Sequence, residues 1–290
     1  MSSIDTNMYD SFCWNISNRC NMTCKFCFRE LNEKELPLED NLAILNRIYN
    51  EGLGGYPIKK ITFAGGEPLG YYGIKPLIKA AHDLGFSCSI VTNGYLLNED
   101  NMDEILPYLD QITFSCDSTS TYYNEQIGRE DIDYQLEGSG IDSSKHLFDI
   151  IPKIREKYDE NQLKININTL ILKDENSKYQ NLDNVGKDIY SRLLNYKIAK
   201  WKLLRFYALR GAAITNKNIF EVPDEDFKKI QEYYNRLSSN YLNVSIRDYE
   251  DIDNNLIVSP NGLLKKSENG VEHVYDDLKV YPTKGGGRHV

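Results

Sequence analysis

The sequence predicts an α/β fold in which six strand–helix units follow one another and a C-terminal extension closes the chain. Two observations predict it. Short β-branched or apolar runs alternate with stretches of helical periodicity from Phe12 to Leu237, and such alternation argues for a parallel sheet with helices outside it. The unusual polar residues also fall directly after strands, where folds of this kind gather their chemistry. Right-handed crossovers wind such units as a barrel or as an open sheet.

Taken in order, Phe12–Asn18 reads as a strand running into a cysteine-bearing loop. Leu38–Tyr49 is helical, with Leu42, Leu45 and Ile48 on one face. Lys59–Ala64 is a β-branched strand followed by Gly-Gly-Glu-Pro, and Ile74–Leu84 a helix stopped by Gly85. Ser87–Thr92 is a strand before Asn93-Gly94, Glu99–Leu109 a helix, and Gln111–Cys116 a strand before Asp-Ser. Thr119–Ser144 is long, polar and glycine-containing, and reads as a surface excursion. The pattern resumes with helix His146–Tyr158, strand Leu163–Leu172, helix Gln180–Tyr196, strand Lys200–Phe206 and helix Asp224–Leu237. Beyond about Asn240 it changes to short strands and turns, among them Asn243–Arg247 and Leu256–Val258. The division expected is a core over 1–210 and an extension over 211–290 that completes the site or acts as a lid.

Bulk numbers exclude some classes. A chain of 290 residues buries a sizeable core. No apolar run approaches the roughly 20 residues that span a bilayer, so no membrane partner is expected. Lys+Arg 34 against Asp+Glu 43 gives a net charge of −9, which is unsuited to general nucleic-acid binding. The six cysteines, with no apolar signal segment at the N-terminus, point to a reducing cytoplasm rather than to a disulfide framework.

The most telling residues are Cys20, Cys24 and Cys27, in the run Arg-Cys-Asn-Met-Thr-Cys-Lys-Phe-Cys-Phe-Arg. Thiolates are soft ligands for iron–sulfur clusters and zinc. Three of them fill three positions of a four-position site, and the next Cys or His in the chain is His82. A structural zinc site closes all four positions, so an open position is implied. On the cysteines alone zinc remains an alternative. Cys13 and Cys88 sit in apolar strands and read as small core hydrophobes, and Cys116 stands at a strand end.

Cys20-x3-Cys24-x2-Cys27, with Phe26 before the last cysteine and Gly65-Gly66-Glu67-Pro68 after the second strand, resembles the radical S-adenosylmethionine (radical SAM) superfamily over roughly residues 10–210. The resemblance implies a partial (β/α)6 TIM-like barrel with a C-terminal extension. It implies that the three cysteines bind a 4Fe-4S cluster, whose open iron is chelated by S-adenosylmethionine. Phe26, Gly65, Gly66 and Glu67 would help seat that cofactor, the Gly-Gly-Glu-Pro turn holding its ammonium. The reduced cluster would then cleave the sulfonium to a deoxyadenosyl radical. Since no cysteine follows Cys116, no auxiliary cluster can be built downstream.

A narrower resemblance rests on Thr-Phe-Ser115-Cys116-Asp117-Ser118 followed by Ile127-Gly128-Arg129, on Lys60-Ile-Thr-Phe, on Ile167-Asn168-Thr169 and on Lys200-Trp201-Lys202. These are similar to viperin and its prokaryotic relatives, which make a dehydrated chain-terminating nucleotide in antiviral defence. By resemblance, Ser115 would touch the ribose of S-adenosylmethionine and Arg129 its carboxylate. Lys60, Asn168, Lys200 and Lys202 would hold a nucleoside triphosphate, and flavodoxin or ferredoxin would supply electrons. Lys200 and Lys202 lie two apart on one strand and so share a face, although periodicity alone fits solvent as well as the interior. Arg205 and Arg210, just beyond, are further candidates for an anion. Asn166 stands where that family has a lysine and Asn255 where it has a tyrosine, and the tail with Lys284 and Arg288 does not match it. Those departures leave open a radical SAM enzyme acting on a peptide or other small metabolite. A zinc- or cluster-binding interaction protein is the alternative from another class.

Overall fold

The computed structural model describes residues 10–29, 33–53, 56–132, 142–173, 184–238, 241–248, 255–268 and 271–278. Strands β1 (Ser11–Ser17), β2 (Lys60–Gly65), β3 (Ser87–Thr92), β4 (Gln111–Ser115), β5 (Lys164–Ile171), β6 (Lys200–Arg205) and β7 (Val244–Arg247) lie side by side in chain order, each pair parallel. The helices between them include α1 (Leu38–Glu51), α2 (Ile74–Asp83), α3 (Glu99–Met102), α4 (Thr121–Ile127), α5 (Ser143–Lys157) and α6 (Asn184–Leu193). After β6 come the short helices α7 (Ala212–Thr215) and α8 (Lys217–Phe220), then α9 (Asp224–Asn235). On the other edge β8 (Leu256–Val258) runs parallel to β1, and β9 (Leu263–Glu268) and β10 (Val271–Asp277) follow antiparallel. The result is an open ten-stranded sheet, the α/β partial-barrel architecture with additional C-terminal strands and helices. The residues after 240 thus extend both edges of the sheet.

Each strand has two unlike faces. Trp14, Phe63, Phe114, Ile167, Trp201 and Leu203 are fully buried in one apolar core with the inner faces of the helices, such as Ile44 and Leu45 of α1 and Leu77 and Ile78 of α2. The alternate positions are polar: Asn15, Thr62, Ser89, Thr113, Asn166, Asn168, Lys200 and Lys202. Cys13 shares this second face with Thr62 through the β1–β2 register and is half-buried beside Asn15, its Sγ 3.7 Å from Oδ1. Its expected place in the core is therefore corrected, because strand alternation puts Phe12 and Trp14 there instead. Cys88 is fully buried in the core.

Two further expectations change. The expected helix Glu99–Leu109 is a single turn, α3, followed by a 3-10 turn over Leu106–Tyr108. Pro107 explains the break, since it has no N–H to donate and its ring crowds the preceding turn. The expected excursion Thr119–Ser144 begins as structure rather than as free surface. Helix α4 buries Tyr123, Asn124 and Ile127, and Glu130 and Asp131 after it are buried too. Residues 133–141 of that segment, like the tail with Lys284 and Arg288, lie outside the described residues.

Trp201 anchors β6 in the core. Its ring meets Tyr234 edge-on at 5.6 Å, and its Nε1–H donates to Thr169 Oγ1 at 2.9 Å. Trp201→Ala is expected to remove about 3–5 kcal/mol of stability, the usual loss for a large buried aromatic ring, measured by urea unfolding. A change below about 0.5 kcal/mol, the range of surface substitutions, would place the ring outside the core.

Candidate active site

The cysteine loop leaves β1 at its carboxyl end and is held by backbone and side chain from three directions. Cys20, Cys24 and Cys27 are free and half-buried. The Met22 N–H points at Cys20 Sγ (3.4 Å) and the Arg29 N–H at Cys27 Sγ (3.5 Å). Burial pushes the Cys24 thiol up to about 12, opposed by the Arg129 guanidinium and reinforced by Cys27, Asp117 and Cys20. Burial likewise raises Cys20, with the Met22 N–H pulling the other way. Phe26 is 3% exposed in a small second core with Tyr123, Ile127, Phe206 and Phe220. There it anchors the loop.

Gly-Gly-Glu-Pro at the end of β2 locks onto this loop. Gly66 N–H donates to Ser17 O (2.6 Å) and Glu67 N–H to Arg19 O (2.7 Å). A Cβ on Gly66 would stand 2.1 Å from Arg19 O, and Gly65 has φ +133° with Ser17 O 2.4 Å from where its Cβ would be. The glycines therefore serve a close approach between two stretches of this chain's own backbone. Glu67 is 1% exposed and accepts from Leu69 N–H (3.0 Å), Thr92 Oγ1 (2.6 Å) and Asn93 N–H (2.8 Å). Burial raises its pKa while those donors oppose the rise. Its carboxylate is mostly occupied in tying the ends of β2 and β3 together.

From the far side, residues 121–132 cover the loop. Lys25 N–H donates to Ile127 O (2.9 Å), Ile132 N–H to Asn21 O (2.8 Å), and Asn21 Nδ2 to Asp131 Oδ2 (2.8 Å). Gly128 has φ +73° and lies so close to Thr23 O that a Cβ would approach it to 2.5 Å. Arg129 follows, pairing with buried Asp117 through Nε (2.6 Å) and Nη2 (2.5 Å), its guanidinium 5.1 Å from the Phe26 ring centre. Asp117 Oδ1 in turn accepts from Leu170 N–H (2.8 Å). Asn93, Ser115, Asp117, Ser118, Asn124 and Arg129 line a cleft here of about 10 Å³, room for about one water. Cys116 is buried beside it, its Sγ turned to Ser118 O. A larger hollow of about 470 Å³ near Glu51, Lys59 and Phe86 lies at the amino ends of β2 and β3, away from these groups.

The third group is cationic. Lys60, Lys200 and Lys202 stand half-buried on the polar face of the sheet, while Lys59 is exposed. In register, Asn166 faces Lys200 and Asn168 faces Lys202. Burial lowers the Lys202 pKa, and the charges of Lys200, Lys60 and Arg247 lower it further. Lys60 stands on β2, four strand steps from β6 in the sheet order. Arg205 turns elsewhere, to Asp224 (2.5 Å) and Asp248 (3.3 Å), and Arg210 donates to Phe28 O (2.8 Å). Neither of those arginines belongs to the lysine group. Asn255 stands exposed just before β8.

A sequence model of the radical SAM superfamily matches residues 14–177, more than half of the chain. The chain belongs to the radical SAM superfamily. It is 28% identical over 279 residues to an S-adenosylmethionine-dependent nucleotide dehydratase of Flammeovirga pacifica, covering 93% of this chain and 87% of that protein. A protein of the same name from Lacinutrix mariniflava is 32% identical over 216 residues, 72% of this chain but only 40% of the relative. Among solved structures, Streptococcus suis SuiB bound to S-adenosylmethionine matches 88% of this chain and 59% of its own, with TM-score 0.63 and 18% identity. The anSMEcpe enzyme with bound AdoMet matches with TM-score 0.57 at 18% identity, over 88% of this chain and 70% of its own.

As a radical SAM enzyme the chain depends on S-adenosylmethionine and a 4Fe-4S cluster, and its residues fit both. Among the described residues no three Cys, His, Asp or Glu side chains converge on a point that would hold a single metal ion. The Met22 N–H aimed at Cys20 and the Arg129 charge beside Cys24 oppose the rise that burial imposes on those two thiols. The cleft beside the cysteine loop is lined by polar residues, and Asn124 Oδ1 in it has no hydrogen-bond partner among the described residues.

The charge of Lys202, partly withdrawn from water among like charges, costs stability. With its folded pKa below 10.5, Lys202 adds stability above 10.5 that is lost as pH falls through the folded value. At neutral pH its charge is therefore unfavourable. Lys202→Met is expected to raise the melting temperature of the ligand-free protein at pH 7 by at least about 2 °C, with a smaller gain near pH 11. A lowered melting temperature would show that the ammonium is already compensated.

Proposed function

We propose that this radical SAM enzyme acts on a nucleoside triphosphate, removing a ribose hydrogen with loss of water to leave a 3'-deoxy-3',4'-didehydro chain terminator for antiviral defence. The observation that carries this reading is the group of Lys60, Lys200 and Lys202 around Asn168 on the concave face. Half-buried cations of one sign on one face call for a polyanion, and a triphosphate supplies it. The names of the curated relatives point the same way.

In this reading Cys20, Cys24 and Cys27 hold the cluster, and Phe26 fixes their loop from below. Bound there, the cluster and S-adenosylmethionine supply a deoxyadenosyl radical. Gly65 and Gly66 keep the turn tight against the cysteine loop, and Glu67 positions Asn93. Ser115 and Arg129 face the cofactor's ribose and carboxylate. The lysines and Asn168 orient the triphosphate so that the ribose faces the cofactor. Residues 211–290 complete the site through β7 and the cover over the cysteine loop. Loss of hydroxide as water after hydrogen removal needs one proton and one further electron to close the double bond. A one-electron carrier of the flavodoxin or ferredoxin kind is accordingly the proposed partner, and the cytoplasm the proposed compartment. Among the described residues no helix is long and apolar enough to cross a membrane.

A second reading takes a peptide or other small metabolite as substrate. The solved neighbours stand nearer to it, since they include SuiB bound to its precursor peptide and anSMEcpe bound to peptides. Asn166 and Asn255, in place of a lysine and a tyrosine, also accord with it.

One experiment separates the two. Anaerobically reconstituted protein, with about four irons per chain, is incubated with S-adenosylmethionine, a reductant and each of the four ribonucleoside triphosphates. At least one triphosphate is expected to raise deoxyadenosine release well above background. Stimulation by none would remove the nucleotide reading and leave the second.

A further inference from the structure

The row of polar positions that contains Lys202 does not stop at β6. Register places Ser115 of β4 beside Asn168 of β5, Asn168 beside Lys202 of β6, and Lys202 beside Ser245 of β7. Partners in a parallel register point to the same side of a sheet, so the row is continuous across four strands. Two residues on, Arg247 lies on that same face beside Leu204. The atoms that flank Lys202 in the row are unsatisfied: Asn168 Oδ1 and Ser245 Oγ are buried and have no hydrogen-bond partner among the described residues. A buried hydroxyl left without a partner is costly, and a strand residue in the apolar core would not carry one. Terminal amide orientation is interchangeable, so Asn168 can also present its NH2 to a ligand.

Taking as given the reading of the lysines as a polyphosphate site, we propose that Ser245 and Arg247 form an anion subsite on β7 for the terminal phosphate. The order of the row sets the direction. Ser115 lines the cleft read as the cofactor's, which the substrate ribose must approach, and β7 is three strand steps away, about 14 Å. A phosphate chain leaving the ribose passes Asn168 and Lys202 before it reaches Ser245. The charge of Arg247 is already felt at Lys202. Arg247 thus restores on β7 a cation that Asn166 does not provide on β5.

The test is calorimetric binding of inorganic tripolyphosphate to the cluster-loaded protein under anaerobic conditions, with circular dichroism and melting temperature recorded for each variant. Wild type and Ser245→Thr are expected to bind alike, since both carry a hydroxyl. Ser245→Ala and Arg247→Gln are each expected to bind about tenfold more weakly, about 1.4 kcal/mol, with unchanged circular dichroism. If both bind within twofold of wild type while Lys202→Ala loses binding, the β7 subsite is overturned and the lysine site stands. If wild type does not bind tripolyphosphate at all, the lysine site falls, and the subsite with it.

Discussion

The site is organised by one buried carboxylate. Glu67 has almost no contact with solvent, and its oxygens accept from Leu69, Thr92 and Asn93 while its own N–H reaches back to Arg19. Three chain segments far apart in sequence, the cysteine loop, the β2 turn and the end of β3, are thereby fixed to one another. Asn93, held in this way, extends its side chain to Asn21 Oδ1 (2.8 Å) between Cys20 and Met22. An isolated buried carboxylate would be strongly unfavourable, and the three donors are what make this one tolerable.

The same division of labour runs through the sheet. Its outer face is sealed by helices and carries the stability, in residues such as Trp14, Phe63 and Trp201. Its concave face carries polar side chains that contribute little to folding, and in Lys202 one that opposes it. Active sites commonly hold groups at some cost to the fold. The cover over the cysteine loop is built outside the sheet altogether, from residues 121–132 on one side and from Phe206, Ala213 and Phe220 on the other. Ala213 N–H donates to Cys27 O (3.1 Å) and Asn216 Nδ2 to Lys25 O (2.8 Å), so this second cover is bonded to the loop backbone.

Much of this was legible in the sequence because it is local. The six strands of the core show as β-branched runs, and the cysteines and Gly-Gly-Glu-Pro are contiguous signatures. What stayed hidden depends on partners remote in sequence. Nothing around Glu67 announces Thr92 and Asn93, and nothing around Arg129 announces that Asp117 will take its guanidinium. The polar composition of residues 119–132 imitates a solvated loop, because part of its polar groups bond to segments remote in sequence, as Asp131 does to Asn21, Arg129 to Asp117 and Glu130 to Ser143. Two further local signals are present in the sequence. Asn269-Gly270 between apolar-alternating runs marks a hairpin, which corresponds to β9 and β10. Pro107 marked the break after α3.

The sheet also explains why the C-terminal residues matter to a site that the first two hundred residues define. Six parallel strands would leave the polar side of β6 at an open edge, with Lys202 beside water on one flank. β7 pairs along β6 from Trp201 to Leu204 and places Ser245 on that flank. Lys202 is thereby enclosed between Asn168 and Ser245, and its charge is desolvated. The desolvation that makes the lysine unfavourable alone is what strengthens its attraction for an anion, since the same charges interact more strongly as the surrounding dielectric falls. Strand β7, within the extension that the sequence expects to complete the site or act as a lid, therefore shapes the surroundings of Lys202.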